Sequence, residues 1–225
     1  MKNKKIILRL SILIILTSVA FLGCKFNKPT VTSNNVPVET QKPSTNSDAA
    51  SAPTTAPVVD APATETALPF KYNMTSVPAQ TVIKFNTPWE LSPLGNFKAT
   101  IEGKGEKANE EGYSHIIISD IKSGKVTKLS LSDEQKNQLT AKDLEWIDEN
   151  TLFVILGQPM GTISMGGKIY KVNISTGEIT LYLNTPSSKE EFTAVHKTTT
   201  GYSFDKYIYD DDNFTKGHTV SGILK

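Results

Sequence analysis

Two stretches of this chain carry the same pattern about 53 residues apart, an interval typical of propellers and solenoids. The first reads SPLGNFKATIEG (92–103), an excursion, then SHIIISDIKSGKVTKLSL (114–131). The second reads IDENTLFVILG (147–157), an excursion, then GKIYKVNISTGEITLYL (167–183). Asp120-Ile121-Lys122-Ser123-Gly124 aligns with Asn173-Ile174-Ser175-Thr176-Gly177, and Gly103 aligns with Gly157. A unit of this size cannot bury its own apolar face, so repeated units must pack on one another.

Each unit reads as antiparallel strands. KSGK and STGE place a glycine where a tight hairpin loop needs a left-handed residue. Ile116, Ile118 and Asp120 alternate with Ile117 and Ser119, and Ile169, Lys171 and Asn173 with Tyr170, Val172 and Ile174. Apolar residues fall on both faces, which predicts sheets covered on both sides rather than one wet face. Residues 144–147 (LEWI) add a strand before the second unit, with Asp148-Glu149-Asn150 as the turn, and residues 81–85 (TVIKF) are expected to do the same for the first. A third, degenerate unit follows: strands over 192–195, 202–209 and 217–224, with a turn at 210–214. A helix fits between units at 132–139, with Ser132 as N-cap and Asp133 and Glu134 in its first turn. The fold class is all-β and antiparallel, built of propeller-blade-like repeats. Three blades do not close a propeller, so an incomplete propeller, a sandwich or an open barrel results.

The N-terminus carries Lys2, Lys4, Lys5 and Arg9, then LSILIILTSVAFL (10–22). A basic start, an apolar core too short to span a bilayer comfortably and a small residue at the end make residues 1–23 a secretory signal. Ala20-Phe21-Leu22-Gly23-Cys24 resembles the lipobox of bacterial lipoproteins, with Phe21 where leucine is usual and Leu22 where a smaller residue is common. The resemblance implies that Cys24, the chain's one cysteine, becomes the acylated, palmitate-bearing N-terminus of the mature protein. Two or more acyl chains hold a protein on a bilayer where one does so only marginally. Export as a lipoprotein and the Lys- and Asn-rich composition predict the outer face of the cytoplasmic membrane, in a Gram-positive setting. With Cys24 used, the folded part has no disulfide and no cysteine-based metal site.

Residues 24–68 are rich in Pro, Thr, Ser and Ala, with Phe26 their one aromatic residue. Such a segment cannot bury enough apolar surface to offset its ordering entropy, so it reads as a disordered linker. Residues 69–225 form a single β-repeat domain, large enough for a hydrophobic core. Removing the signal leaves 20 basic against 23 acidic residues, a net charge of −3. That balance, with no Lys/Arg cluster, argues against a nucleic-acid partner.

The pattern SP-x-G-x-(Y/F)-x-A followed by I-x-D-(L/I)-x-(S/T)-G-x resembles the repeats of TolB-like propellers. More narrowly, SPLGNFKATIEGKGE, LEWIDENTLFVILG, GTISMGGKIYKVNISTGEIT and YIYDDDNF resemble the family named domain of unknown function 4652, over residues 91–212. The resemblance implies a lipoprotein or secreted protein of Gram-positive bacteria and brings no activity with it.

Catalytic and cofactor motifs are wanting. His115, His196 and His218 are not at metal-ligand spacing, there is no HExxH, and GTISMG (161–166) does not have nucleophile-elbow spacing. A Ser/His/Asp triad is spatial and stays open at this point. GKGEKA (103–108) matches a dinucleotide fingerprint, but Glu106, Glu110 and Glu111 crowd the place of a pyrophosphate. Asp210, Asp211 and Asp212 are a weak calcium candidate: Thr215 stands where an EF-hand loop has glycine, Ser221 where it has glutamate, and an acidic turn is the plainer reading. No cofactor is expected. The loop QPMGTISMGG (158–167) is the candidate binding segment, through Gln158, Met160, Ile163 and Met165. Its methionines suit adaptable apolar recognition if exposed, although filling a gap between sheets is the commoner use of methionine. The function expected is a non-enzymatic binding or envelope-assembly module, held to the bilayer through Cys24, with an envelope protein or glycan as partner. The alternative is an exported hydrolase acting on envelope material.

Overall fold

The computed structural model describes residues 58–59, 66–160 and 163–225. The signal, Cys24 and most of the linker lie outside them. The described residues begin with β1 (Val58–Val59), β2 (Thr66–Ala67) and β3 (Tyr72–Val77). The first repeat supplies β4 (Glu90–Leu91), β5 (Phe97–Glu102), β6 (His115–Asp120) and β7 (Val126–Leu131). After α1 (Glu134–Asn137), the second supplies β8 (Thr140–Trp146), β9 (Thr151–Gly157), β10 (Lys168–Asn173) and β11 (Ile179–Leu183). The third, with one strand fewer, supplies β12 (Glu190–Thr198), β13 (Gly201–Tyr209) and β14 (Gly217–Leu224).

Each repeat is one antiparallel meander, and none of the three sheets closes on itself. The strand orders are β3-β7-β6-β5-β4, β2-β11-β10-β9-β8 and β1-β14-β13-β12. The opening strands β1, β2 and β3 thus lie on the outer edges of the third, second and first sheets in turn, antiparallel except for β1. Two of these short pairings fall within the stretch read as linker. The strand expected over 81–85 does not form: β3 and the short β4 flank the first meander instead.

The aligned hairpins confirm the repeat in chemical detail. Asp120 Oδ1 accepts the Ser123 N–H at 2.9 Å, and Asn173 Oδ1 accepts those of Ser175 and Thr176 at 2.9 and 3.0 Å. Gly124 and Gly177 follow at φ 70° and 74°, the left-handed conformation that glycine adopts without steric cost. The helix differs from expectation. It is a single turn, Asp133 rather than Ser132 stands at its N-cap with φ 50°, and the Ser132 hydroxyl accepts the Lys71 N–H instead.

The middle sheet is apolar on both faces because it is sandwiched. Leu152, Val154 and Leu156 of β9 join a core with Ile101, Ile116, Ile118 and Leu129 of the first sheet. Phe153 and Ile155 face the other way, into a core with Phe192, Val195 and Phe204 of the third. Each such buried side chain contributes roughly 1.5–3 kcal/mol. Polar contacts join the sheets as well. Glu149, in the β8–β9 turn, accepts from Ser92 Oγ, the Leu94 N–H and Asn96 Nδ2 of the SPLGN turn. Asp143 and Glu145 on β8 accept the Val195 and Lys197 N–H groups of β12 at 2.7 and 3.0 Å. Among the described residues no strand pairs with this edge of β12, and these carboxylates satisfy part of it.

Candidate functional site

The connection between the second and third strands of each meander forms an excursion: residues 103–114, 158–167 and 210–216. The middle one is hydrogen-bonded to the first through Gly112 and Pro159 and lines a cleft together with Phe214 of the third, so all three gather at one end of the domain.

The middle excursion leaves and re-enters the sheet through glycines. A Cβ on Gly157 would lie 1.8 Å from the Gly166 carbonyl oxygen, one on Gly166 2.1 Å from that of Phe192, and one on Gly167 2.0 Å from that of Leu156. Backbones approach here too closely for any side chain. Gly157 and its aligned partner Gly103 therefore serve different ends, since Gly103 is needed for its φ of 99°. Gly167 and Phe192 exchange N–H···O bonds of 2.9 and 2.8 Å, joining the loop base to β12.

Next along β12, Glu191 is 7% exposed and holds the loop from behind. Its carboxylate accepts the Met165 N–H at 3.0 Å and the Ser164 hydroxyl at 2.8 Å. The Tyr209 hydroxyl lies 2.7 Å from Glu191 Oε1 and 2.6 Å from the Ile163 carbonyl, donating to one of the two at a time. Burial, then the bond to Glu191, pushes the Tyr209 phenol well above its ordinary range. Sequence reasoning missed Glu191 and Tyr209, because nothing local marks a glutamate on one strand as the anchor of a loop 26 residues earlier.

With the backbone fixed from behind, the side chains face outward. Met160, Ile163 and Met165 are 54%, 50% and 62% exposed, so the gap-filling reading of the methionines is corrected. The loop separates two open clefts. One, of about 490 Å³, is lined by Gln158, Met160, Ile163, Ser188, Tyr209 and Phe214. The other, of about 540 Å³, lies toward the first excursion and is lined by Lys107, Asn109, Glu111, Lys142, Pro159 and Met165. The Gly112 N–H donates to the Pro159 carbonyl at 2.7 Å across it.

The first excursion is built around Lys104, which is fully buried and donates to the carbonyls of Glu110 and Gly112. Burial and the nearby Lys142 push its ammonium down to about 8, against the pull of Glu111 and Glu110. The amides of Gly103 and Gly105 both donate to the Phe85 carbonyl. No helix follows, so the fingerprint-like GKGEKA offers no phosphate cradle.

In the third excursion the three aspartates diverge. Asp210 pairs with His218 Nδ1 at 2.9 Å, Asp211 accepts from the N–H groups of Thr215 and Lys216, and Asp212 pairs with Lys189. Among the described residues no cluster of three His, Cys, Asp or Glu could hold a metal ion.

One serine, aspartate and histidine do meet, on the third sheet. Ser221 Oγ donates to Asp205 Oδ1 at 2.6 Å, and His196 Nε2 lies 3.1 Å from Asp205 Oδ2. The aspartate stands in the middle, so no base touches the serine hydroxyl, and the order is not that of a nucleophilic triad. A second group invisible in the sequence is carboxylic. Burial, with Glu145 and Asp143 adding repulsion, pushes Glu90 up to about 8. Asp143 is raised to about 6, chiefly by burial. Among the described residues no helix is long and apolar enough to cross a membrane.

No curated protein matches the chain. It is similar to a protein from Clostridium novyi NT, called a conserved lipoprotein, whose crystal structure superposes with a TM-score of 0.64 at 33% identity, covering 69% of this chain and 97% of that one. The family model described as Domain of unknown function (DUF4652) matches residues 27–224, which takes in most of the linker as well as the three sheets. The chain belongs to the DUF4652 family.

Proposed function

We propose that this protein is a lipoprotein, anchored through acylated Cys24 to the outer face of the cytoplasmic membrane, whose domain binds an envelope protein or glycan without catalysis. The observation that carries the binding reading is the middle excursion: Met160, Ile163 and Met165 are exposed on a backbone fixed by Glu191 and flanked by two clefts. Apolar side chains presented on a backbone hydrogen-bonded at Ile163, Ser164 and Met165 lose less entropy on binding, which suits recognition better than catalysis. The anchor is supported by the lipobox-like sequence and by the similarity to a protein called a lipoprotein.

The test is cross-linking and pull-down of the full-length protein from its native membranes, with wild type beside the Met160→Ala/Ile163→Ala/Met165→Ala variant. A stoichiometric partner captured by wild type and lost from the variant, at an unchanged melting temperature, is the expected result. Equal capture by both forms would rule the loop out. Acyl labelling of wild type but not of Cys24→Ala tests the anchor separately.

A further inference from the structure

The segment TVIKFNTPW (81–89) is rich in β-branched and aromatic residues, yet it forms no strand beyond one bridge from Asn86 to Glu102. Phe85 is 60% exposed and Trp89 half-buried. Neither ring belongs to either core. Packing therefore gives no reason for two aromatic residues to stand here.

The backbone beneath them is nevertheless held firmly. The Thr87 N–H donates to the Ile101 carbonyl at 2.9 Å, and the Ile101 N–H to the Thr87 hydroxyl at 3.0 Å. The Thr100 hydroxyl donates to the Thr87 carbonyl at 2.6 Å. Phe85 stands at φ 56°, a strained conformation for an aromatic residue. Strain of this kind persists only where the surroundings impose it. Here the Phe85 carbonyl accepts the N–H groups of Gly103 and Gly105 at 3.0 and 3.2 Å, and its ring lies 3.5 Å from where a Cβ on Gly105 would stand. The Lys98 ammonium sits 4.6 Å from the centre of the Trp89 ring and braces one face of it.

Phe85, Pro88 and Trp89, with Asn86, Thr87 and Glu106, line an open cleft of about 560 Å³. Asn86 commits its amide N–H groups to the Thr87 carbonyl and the Thr100 hydroxyl oxygen, which leaves its Oδ1 to accept. Among the described residues, neither the Glu106 carboxylate nor the Trp89 indole N–H has a hydrogen-bond partner.

We propose that this cleft binds a neutral pyranose ring of a glycan. A sugar ring offers a face of C–H groups to an aromatic ring and an edge of hydroxyls that both donate and accept. The cleft supplies the matching parts: aromatic faces, two acceptors in Glu106 and Asn86, and one donor in Trp89. A quaternary ammonium would leave the indole N–H unmatched and would compete with the cation already on Trp89. An anionic ligand would meet the Glu106 carboxylate. Rings set on a braced backbone lose little freedom on binding. None of the six residues lines either cleft beside the middle excursion, so this is a second site, independent of the methionines and of the anchor.

The experiment uses the indole as reporter. The chain has two tryptophans, and Trp146 is fully buried, so a ligand-induced change in emission reads out Trp89. The full-length protein is titrated to millimolar concentration with chitotetraose, cellotetraose and maltotetraose, and separately with tetramethylammonium. Saturable quenching or a blue shift with at least one oligosaccharide is expected. Binding should be at least about fivefold weaker in Phe85→Leu, which keeps apolar bulk but removes the ring face, and retained in Phe85→Tyr. Glu106→Gln, an exposed substitution that leaves the fold untouched, should weaken it as well, and Met160→Ala/Ile163→Ala/Met165→Ala should leave it unchanged. No saturable response to any of the three sugars would overturn the proposal, as would a response to tetramethylammonium alone. A sugar response that is equal in Phe85→Leu and Glu106→Gln, or lost in the methionine-loop variant, would place binding elsewhere and overturn it too.

Discussion

Replacing Glu191 tests how the middle excursion is held. In Glu191→Ala the Met165 N–H and the Ser164 and Tyr209 hydroxyls lose their shared acceptor. Glu191 is 7% exposed, so water does not readily replace it. The hydroxyls can turn elsewhere: Tyr209 already lies 2.6 Å from the Ile163 carbonyl. The Met165 amide cannot. The Met165 amide is part-buried, so its lost bond costs about 1 kcal/mol; the lost charge-assisted bonds from Ser164 and Tyr209 cost about 3 kcal/mol more, so the substitution is expected to cost about 4 kcal/mol. For a domain of this size that lowers Tm by roughly 8–16 °C. Glu191→Gln keeps an oxygen for Met165 and Tyr209 and offers its NH₂ to the Ser164 oxygen, so only charge assistance is lost, about 1–2 kcal/mol. The assay is thermal unfolding of the three forms, with amide exchange at Met165 as the local readout. Alanine and glutamine variants of equal stability, or an alanine variant as stable as wild type, would refute the anchoring role.

The raised carboxyl groups on the inner strands predict a pH dependence. Glu90 sits near 8 in the fold against 4.5 when free, and Asp143 near 6 against 3.8. Both stay protonated in the fold after the unfolded chain has lost its protons. Their contribution to stability is therefore intact below about pH 4 and falls as pH rises toward 8. Glu90→Gln should gain on wild type by about 2 kcal/mol between pH 5 and pH 8.5, allowing for its part exposure, and parallel denaturation curves at the two pH values would contradict this. Gly167→Ala forces a Cβ to 2.0 Å from a backbone oxygen and should cost about 3 kcal/mol in chemical denaturation, against about 1 kcal/mol for Gly112→Ala, where φ is 116° but the space is open. Calcium should leave the melting temperature unchanged relative to chelator, because Asp210, Asp211 and Asp212 serve separate protein partners, and a ligand of the native state would have to raise it.

The repeat, its hairpins and the all-β class are legible in the sequence because each rests on local chemistry. An Asp or Asn followed by Gly at fixed offset closes a hairpin whatever surrounds it, and Asp120–Gly124 and Asn173–Gly177 do so alike. Apolar residues on both faces of β10, Ile169 against Tyr170 and Val172, announce a sheet covered twice, which the two cores bear out. The helix was less legible: a serine before two acidic residues suggests a cap, yet the Ser132 hydroxyl is taken by Lys71, 61 residues away in the chain. Exposure was the weakest inference. A methionine-bearing loop reads more readily as filler than as surface, and here a glutamate and a tyrosine from the third sheet hold it so that its methionines are exposed. The sequence by itself determined the repeating unit, because turns and alternation act between near neighbours. Only the tertiary structure decided that β1, β2 and β3 cover the three outer edges in reverse order, that Glu90 meets Asp143 and Glu145, and that three excursions gather at one end. Those relations depend on how twisted sheets stack, and side chains 50 or more residues apart leave no periodic mark of their meeting.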